Sequence, residues 1–283
     1  MNPAVSDSTT VHLRNVAPTL HITAPAPWTA RRAGSSATAR ATFTDPGSND
    51  THTCRTAWDD GTVTSRPAHG HACALPHGFG DAGMFDTHTT VTDDDGGADT
   101  GDRMVIVYEP TAGLAVSAAI APAPAGSHLG HPQPCTLDVF ALAKYVTSDA
   151  QHPTAVLTIT TSTGLHLSAS TVEWLVTTHD GKVAIKGTAG SDNFLVYLRA
   201  DAARAVVWPT AQGRIPPASP LFDNQRGASY DIDHARPQPL THGLNVTDTG
   251  WIPGVPSLNQ SLISTLQRYN QLLPKLLEAG LHL

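Results

Sequence analysis

Charge is what this 283-residue chain has least of: Asp, Glu, Lys and Arg make up 14%, against roughly 25% in ordinary globular domains. The basic half is the scarcer, 17 Lys+Arg to 24 Asp+Glu, giving a formal net charge of −7. That balance argues against a nucleic-acid binder, which needs a basic face to neutralise phosphates. Aromatics are 6% and cysteines three. No apolar run approaches the ~18 residues of a membrane-spanning helix. Residues 1–10 have neither a basic n-region nor an apolar h-region, so no signal peptide is visible. The space is filled by 35 Thr, 19 Val, 23 Gly and 22 Pro. β-branched residues punctuated by Gly and Pro favour short strands and turns.

The acidity is uneven: residues 1–110 carry a net −6 and residues 111–283 a net −1. Asp93, Asp94, Asp95, Asp99 and Asp102 fall within ten positions. This shift, with the Pro/Ala/Gly stretch from Ala121 to Pro134, marks two modules joined near Pro110. In the first, Val11, Leu13 and Val16, then Leu20 and Ile22, alternate with polar neighbours as half-buried strands do. Further alternating runs are Ala37 to Phe43, closed by Asp45-Pro46-Gly47, and Cys54 to Trp58, closed by Asp59-Asp60-Gly61. Phe85 to Val91 and Met104 to Tyr108 complete the set. Six or seven short strands in about a hundred residues is the pattern of an immunoglobulin-like β-sandwich, with Trp58 inward on a central strand.

Asn15 to Thr19 reads N-V-A-P-T, Phe43 to Thr53 reads F-T-D-P-G-S-N-D-T-H-T, and Trp58 to Gly61 reads W-D-D-G. His77, Phe79, Gly83 and Phe85 follow, then V-T-D-D-D-G-G at Val91 to Gly97 and V-I-V-Y at Val105 to Tyr108. In this order the segment resembles a PKD (polycystic kidney disease) domain, although Phe79 and Phe85 stand where that family more often has Tyr. The resemblance implies an extracellular Ig-like sandwich that spaces or binds without catalysis. Bacterial PKD domains of this kind carry cysteines at the places of Cys54 and Cys73. The resemblance therefore implies a bridge between them, the alternative being two unpaired buried thiols; Cys135 is left over.

Short strands continue in the second module: Leu114 to Ile120, Leu137 to Tyr145, Ala155 to Thr161, Leu165 to Leu167 and Val172 to Val176. Lys182 to Lys186, Phe194 to Leu198 and Ala205 to Trp208 follow. F-A-L-A-K-Y at Phe140 to Tyr145, E-W-L-V at Glu173 to Val176, K-G-T at Lys186 to Thr188 and F-D-N-Q-R-G-A-S-Y-D-I-D at Phe222 to Asp233 resemble the module that follows PKD domains in actinobacterial surface proteins. Members usually open with a Gly-rich strand ending in Trp-Ile, which Leu114 to Ile120 lacks.

Catalytic constellations are scarce. Gly78, Gly80 and Gly83 satisfy G-x-G-x-x-G, but the segment reads as a turn before a Thr-rich strand, not as a strand opening a helix. No H-E-x-x-H, C-x-x-C or G-x-S-x-G is present. The one ligand set is Asp45, Asp50, Asp93 and Asp95, hard oxygen donors in loops at one sandwich pole that suit Ca²⁺. The other reading is that they cap turns, as Asp commonly does. Trp28, Trp208 and Trp251 are candidates for stacking on sugar rings, the other reading being core packing.

Beyond Ser257, Leu262, Leu266, Tyr269, Leu273 and Leu276 recur at spacings of 4, 3, 4 and 3, an amphipathic helix pattern divided by Pro274. The expected architecture is all-β: residues 1–12 the end of a preceding repeat, 13–109 a PKD-like sandwich, 110–247 a second β-rich domain, and 248–283 a helical tail. The expected protein is a non-catalytic extracellular or cell-surface spacer or adhesion protein. The alternative is a carbohydrate-binding accessory module of a larger secreted hydrolase. Its expected partners are cell-wall or extracellular polysaccharide, or a surface protein, with no cofactor beyond the candidate Ca²⁺. An exported protein without a visible signal peptide implies a fragment or a misplaced start.

Overall fold

The computed structural model describes residues 14–111, 114–147, 150–212, 215, 217 and 219–247. The tail at 248–283, with its expected helix and Trp251, lies outside them, as do Val11 and Leu13. Among the described residues the fold is all-β, and no helix is long and apolar enough to cross a membrane. Contacts divide the chain into two compact units. Of the described residues, the first holds those up to Ala26 with Ala37–His77 and Thr87–Arg103; the second holds Pro27–Ser36, Gly78–Asp86 and those from Met104 onward.

Among the described residues eight strands precede Pro110: β1 (Thr19–Ala24), β2 (Ala30–Arg32), β3 (Ser36–Thr44), β4 (His52–Ala57), β5 (Val63–Pro67), β6 (Ala72–Gly78), β7 (Gly83–Asp93) and β8 (Ala98–Tyr108). They form two sheets, β1-β3-β6 and β2-β8-β7-β4-β5. β2 runs parallel to the end of β8 and the remaining described pairs are antiparallel. The strict alternation of β3 places Ala37, Ala39, Ala41 and Phe43 inward, each at most 4% exposed. Trp58 is fully buried; its indole N–H donates to Thr64 Oγ1 at 2.9 Å and its ring stacks on His77 at 4.7 Å. Residues 14–18, where Val16 was expected in a strand, are not in one, and Val16 is 56% exposed.

Cys54 and Cys73 are bonded, Cα to Cα 5.7 Å. Cys54 lies on β4 and Cys73 on β6, so the bridge joins the two sheets through the core, where the residues are 1% and 3% exposed. Cys135 is free and half-buried.

The other strands are β9 (Ala115–Ala123), β10 (Cys135–Lys144), β11 (Thr154–Thr161), β12 (His166–Ser168), β13 (Thr171–Thr177), β14 (Val183–Ala189), β15 (Asp192–Arg199), β16 (Ala202–Pro209), β17 (Phe222–Asp223), β18 (Gln238–Pro239) and β19 (His242–Thr247). They make the sheets β12-β11-β10-β9-β19 and β13-β14-β15-β16-β17, with β18 also on β16. Between the sheets pack Leu137, Val139, Leu157, Ile159, Leu175, Ile185, Phe194, Val196 and Val207. A second apolar cluster covers the outer face of the β13–β17 sheet: Trp174, Leu195, Tyr197, Val206 and Trp208 meet Met84, Ile106, Ile232 and Ala235. The strands there read as nearly continuous apolar runs because both faces are buried.

The loop from β17 to β18 is fixed from beneath by Arg204 on β16. This fully buried guanidinium grips Asp223 and donates to the carbonyls of Ser229 (2.6 Å) and Ala235 (2.9 Å). Asn224 accepts from the amide of Ala205 and donates to the carbonyl of Ala203. These contacts give the F-D-N segment an architectural role: a charged core held because nearly all its polar groups are satisfied.

Candidate functional site

The acidic pole of the first unit is built by two connections. One links β3 to β4 through Asp45 and Asp50; the other is the tight turn from β7 to β8 at residues 94–97. Asp45, Asp50 and Asp93 each offer an oxygen within 4.8 Å of the others. Asp45 accepts from the amide of Gly47 at 2.7 Å and meets His52 Nε2 at 2.8 Å, in side chains 0% and 6% exposed. Asp93 is buried, accepting from Asn15 Nδ2 at 2.8 Å and from the amide of Gly97 at 2.7 Å. Asp94 accepts from the amide of Thr51 at 3.1 Å and thereby ties the two connections together.

Two glycines permit this convergence. A Cβ on Gly47 would lie 1.9 Å from Asp50 Oδ2, because that carboxylate folds back over the glycine. A Cβ on Gly97 would meet Asp93 Oδ2 at 2.5 Å and the backbone of Ala17 at 2.8 Å. The electrostatics divide the group. The hydrogen bond from His52, then that from Gly47, holds the Asp45 carboxyl below the ordinary aspartate range. Burial, then the charges of Asp45, Asp94, Asp95 and Asp93, pushes Asp50 up. Asp50 is thus the member whose charge is least favoured, by burial first and then by four nearby carboxylates.

Oxygen-only donors at this spacing match Ca²⁺ in kind, while six to eight ligands are more than three carboxylates supply monodentately. Asp45 and Asp93 already spend lone pairs on protein donors, as turn-capping aspartates do. Asp95 is exposed and is not one of the three; it lines an adjoining cleft of about 440 Å³ with Asp50, Asn15, Val16, Pro46 and Arg14.

The tryptophan candidates separate. Trp208 is 1% exposed, in the cluster with Met84 and Ile106, so it presents no face to a sugar; expecting it there is corrected by burial of both faces of β16. Trp28 is half-buried against the same cluster, at a positive φ of 63°. Gly78 closes β6 and Gly83 opens β7, so the G-x-G-x-x-G segment joins two strands and offers no helix N-terminus to a pyrophosphate. Among known proteins, the chain matches no family model and no curated protein.

Proposed function

We propose that the chain is a non-catalytic module of an extracellular or cell-surface protein, giving spacing or adhesion, with a PKD-type sandwich at residues 13–109. The observation that carries this reading is the Cys54–Cys73 bridge through the core of the first sandwich. Disulfides persist outside the reducing cytosol, and small sandwiches use them to supplement a modest core. The N-V-A-P-T, W-D-D-G and V-T-D-D-D-G-G motifs support the family side of the reading.

The carbohydrate-binding alternative loses one of its aromatic faces with Trp208 buried. Pull-down of the full chain on an array of cell-wall and extracellular polysaccharides separates the two readings. A spacer is retained on none of them; specific retention on one glycan overturns the spacer reading in favour of the accessory module. Mass spectrometry without reductant, on protein from its native source, is expected to find Cys54 linked to Cys73, and free thiols at both would remove the support for export.

A further inference from the structure

The turn before β10 holds two imidazoles against each other. In His128-Leu129-Gly130-His131 the amide of His131 donates to the carbonyl of His128 at 3.0 Å, with Gly130 at a φ of 80° that favours glycine. Such a turn sets its first and fourth residues side by side. The two rings stack, with centroids 4.3 Å apart and planes inclined by 28°. His128 is the anchored member. Its backbone pairs with Phe222, its ring meets the buried Phe222 ring edge-on at 6.1 Å, and its Nδ1 lies 2.6 Å from Thr163 Oγ1. Thr163 Oγ1 is in turn 2.9 Å from Thr161 Oγ1. Nδ1–H can therefore donate into a hydroxyl pair, which leaves the Nε2 lone pair to a ligand. His131 is exposed, as is Leu129 between the two, so the tip of the turn stands in water.

We propose that His128 and His131 form a binding site for a divalent transition-metal ion of the Cu²⁺–Zn²⁺ kind, each ring giving one nitrogen. Bonds of about 2.1 Å to each nitrogen require the two nitrogens within about 4 Å of each other. Rings at 4.3 Å are within a small rotation of the exposed His131 ring from that arrangement. Neutral imidazole is the ligating form, and burial first, then the charges of His131 and Arg226, lowers the proton affinity of His128. Arg226, held by the carbonyls of Ser127 and Pro220, repels a cation through space. That disfavours Ca²⁺ and Mg²⁺, which need oxygen donors, and leaves ions that bond strongly to imidazole nitrogen. Among the described residues no third His, Cys, Asp or Glu joins the pair, so water completes the coordination. The pair belongs to the second unit, and its nitrogen donors suit a different class of ion from the oxygens of Asp45, Asp50 and Asp93.

The test is isothermal titration calorimetry of the full chain with Cu²⁺ and, separately, with Zn²⁺. His131→Ala is expected to weaken the tightest binding by about tenfold or more, and Thr163→Val, which removes the partner of Nδ1, to weaken it as well. His166→Ala, which takes an exposed histidine from β12, is expected to leave it unchanged. No binding by the unmodified chain, unchanged affinity in His131→Ala, or an equal loss in His166→Ala overturns the proposal. Oxidation of the unmodified chain by substoichiometric Cu²⁺ with ascorbate, mapped by mass spectrometry, gives a readout that needs no variant to fold. Oxidised imidazole is expected first at His128 and His131, and oxidation beginning at other histidines while these two stay intact overturns the proposal.

Discussion

The guanidinium of Arg204 meets the carboxylate of Asp223 through two bonds, Nε to Oδ1 at 3.0 Å and Nη2 to Oδ2 at 2.9 Å, with the side chains 0% and 1% exposed. Tyr197 and Tyr230 lie over the same guanidinium at 5.5 and 5.0 Å. The pair sits where β16, β17 and the loop to β18 meet, so it fixes the end of one sheet.

Removing one partner leaves the other charged, buried and without a counterion. Arg204→Met is expected to destabilise the second unit by about 3–5 kcal/mol. Arg204→Met with Asp223→Leu is expected to recover much of that loss. Urea denaturation of both variants checks this, and a double variant no better than the single one would show that the bonds to Ser229 and Ala235 matter more than the charge pair.

The inter-sheet disulfide closes a loop between residues 19 apart in sequence. Constraining an unfolded loop of that size stabilises by about 3 kcal/mol in the chain-entropy account. Cys54→Ala with Cys73→Ala is expected to lower the stability of the first unit by about that amount while leaving the second unit's transition in place. Differential scanning calorimetry with and without reductant measures it.

Much of this architecture is legible in the sequence. The alternation of Ala37 to Phe43 and the apolar run of Phe194 to Leu198 fall inside β3 and β15, because each side chain's burial follows its own strand. β5 is not legible: V-T-S-R-P reads as a loop, and it becomes a strand only by pairing with β4 at a sheet edge. β2 is three residues whose partner on β8 lies 76 positions away. The convergence of Asp45, Asp50 and Asp93 follows from their places at strand ends, but the part of His52 does not, since its bond to Asp45 depends on how the β3–β4 connection doubles back. Which of the two readings of Trp208 holds, sugar stacking or core packing, is not legible either, because residues that cluster with it, Met84 and Ile106, are more than a hundred positions distant.

Gly97 and Gly47 make a contrasting pair. The Cβ of Gly97→Ala meets backbone at Ala17 as well as the part-buried Asp93–Asn15 bond, and the backbone cannot retreat cheaply. Its cost is expected to be about 1–3 kcal/mol, the range of overpacking a filled site. Gly47→Ala meets only the end of the Asp50 side chain, which can swing away, so it is expected to cost less. Thermal unfolding of the two variants side by side tests the order; a larger loss for Gly47→Ala would mean that Asp50 is held in place.

Asp50 and Asp45 respond oppositely to pH. A carboxyl raised in the folded state destabilises above its folded pKa, and that penalty disappears as the pH falls through it towards the ordinary 3.8. A carboxyl held low, as Asp45 is by His52 and Gly47, stabilises above 3.8 and loses that contribution as the pH falls through its folded pKa. Acidification of a chelator-treated sample therefore relieves Asp50 first and costs Asp45 later, so the stability of the first unit should pass through a shallow maximum on the acid side before it drops. Asp50→Asn removes the repelled charge and keeps the shape. It is expected to raise the neutral-pH melting temperature and to abolish the maximum, leaving only the acid loss. A neutral-pH decrease for Asp50→Asn in chelator would mean that the ionised carboxylate makes a stabilising contact, and the charge-repulsion account of this pole would be wrong.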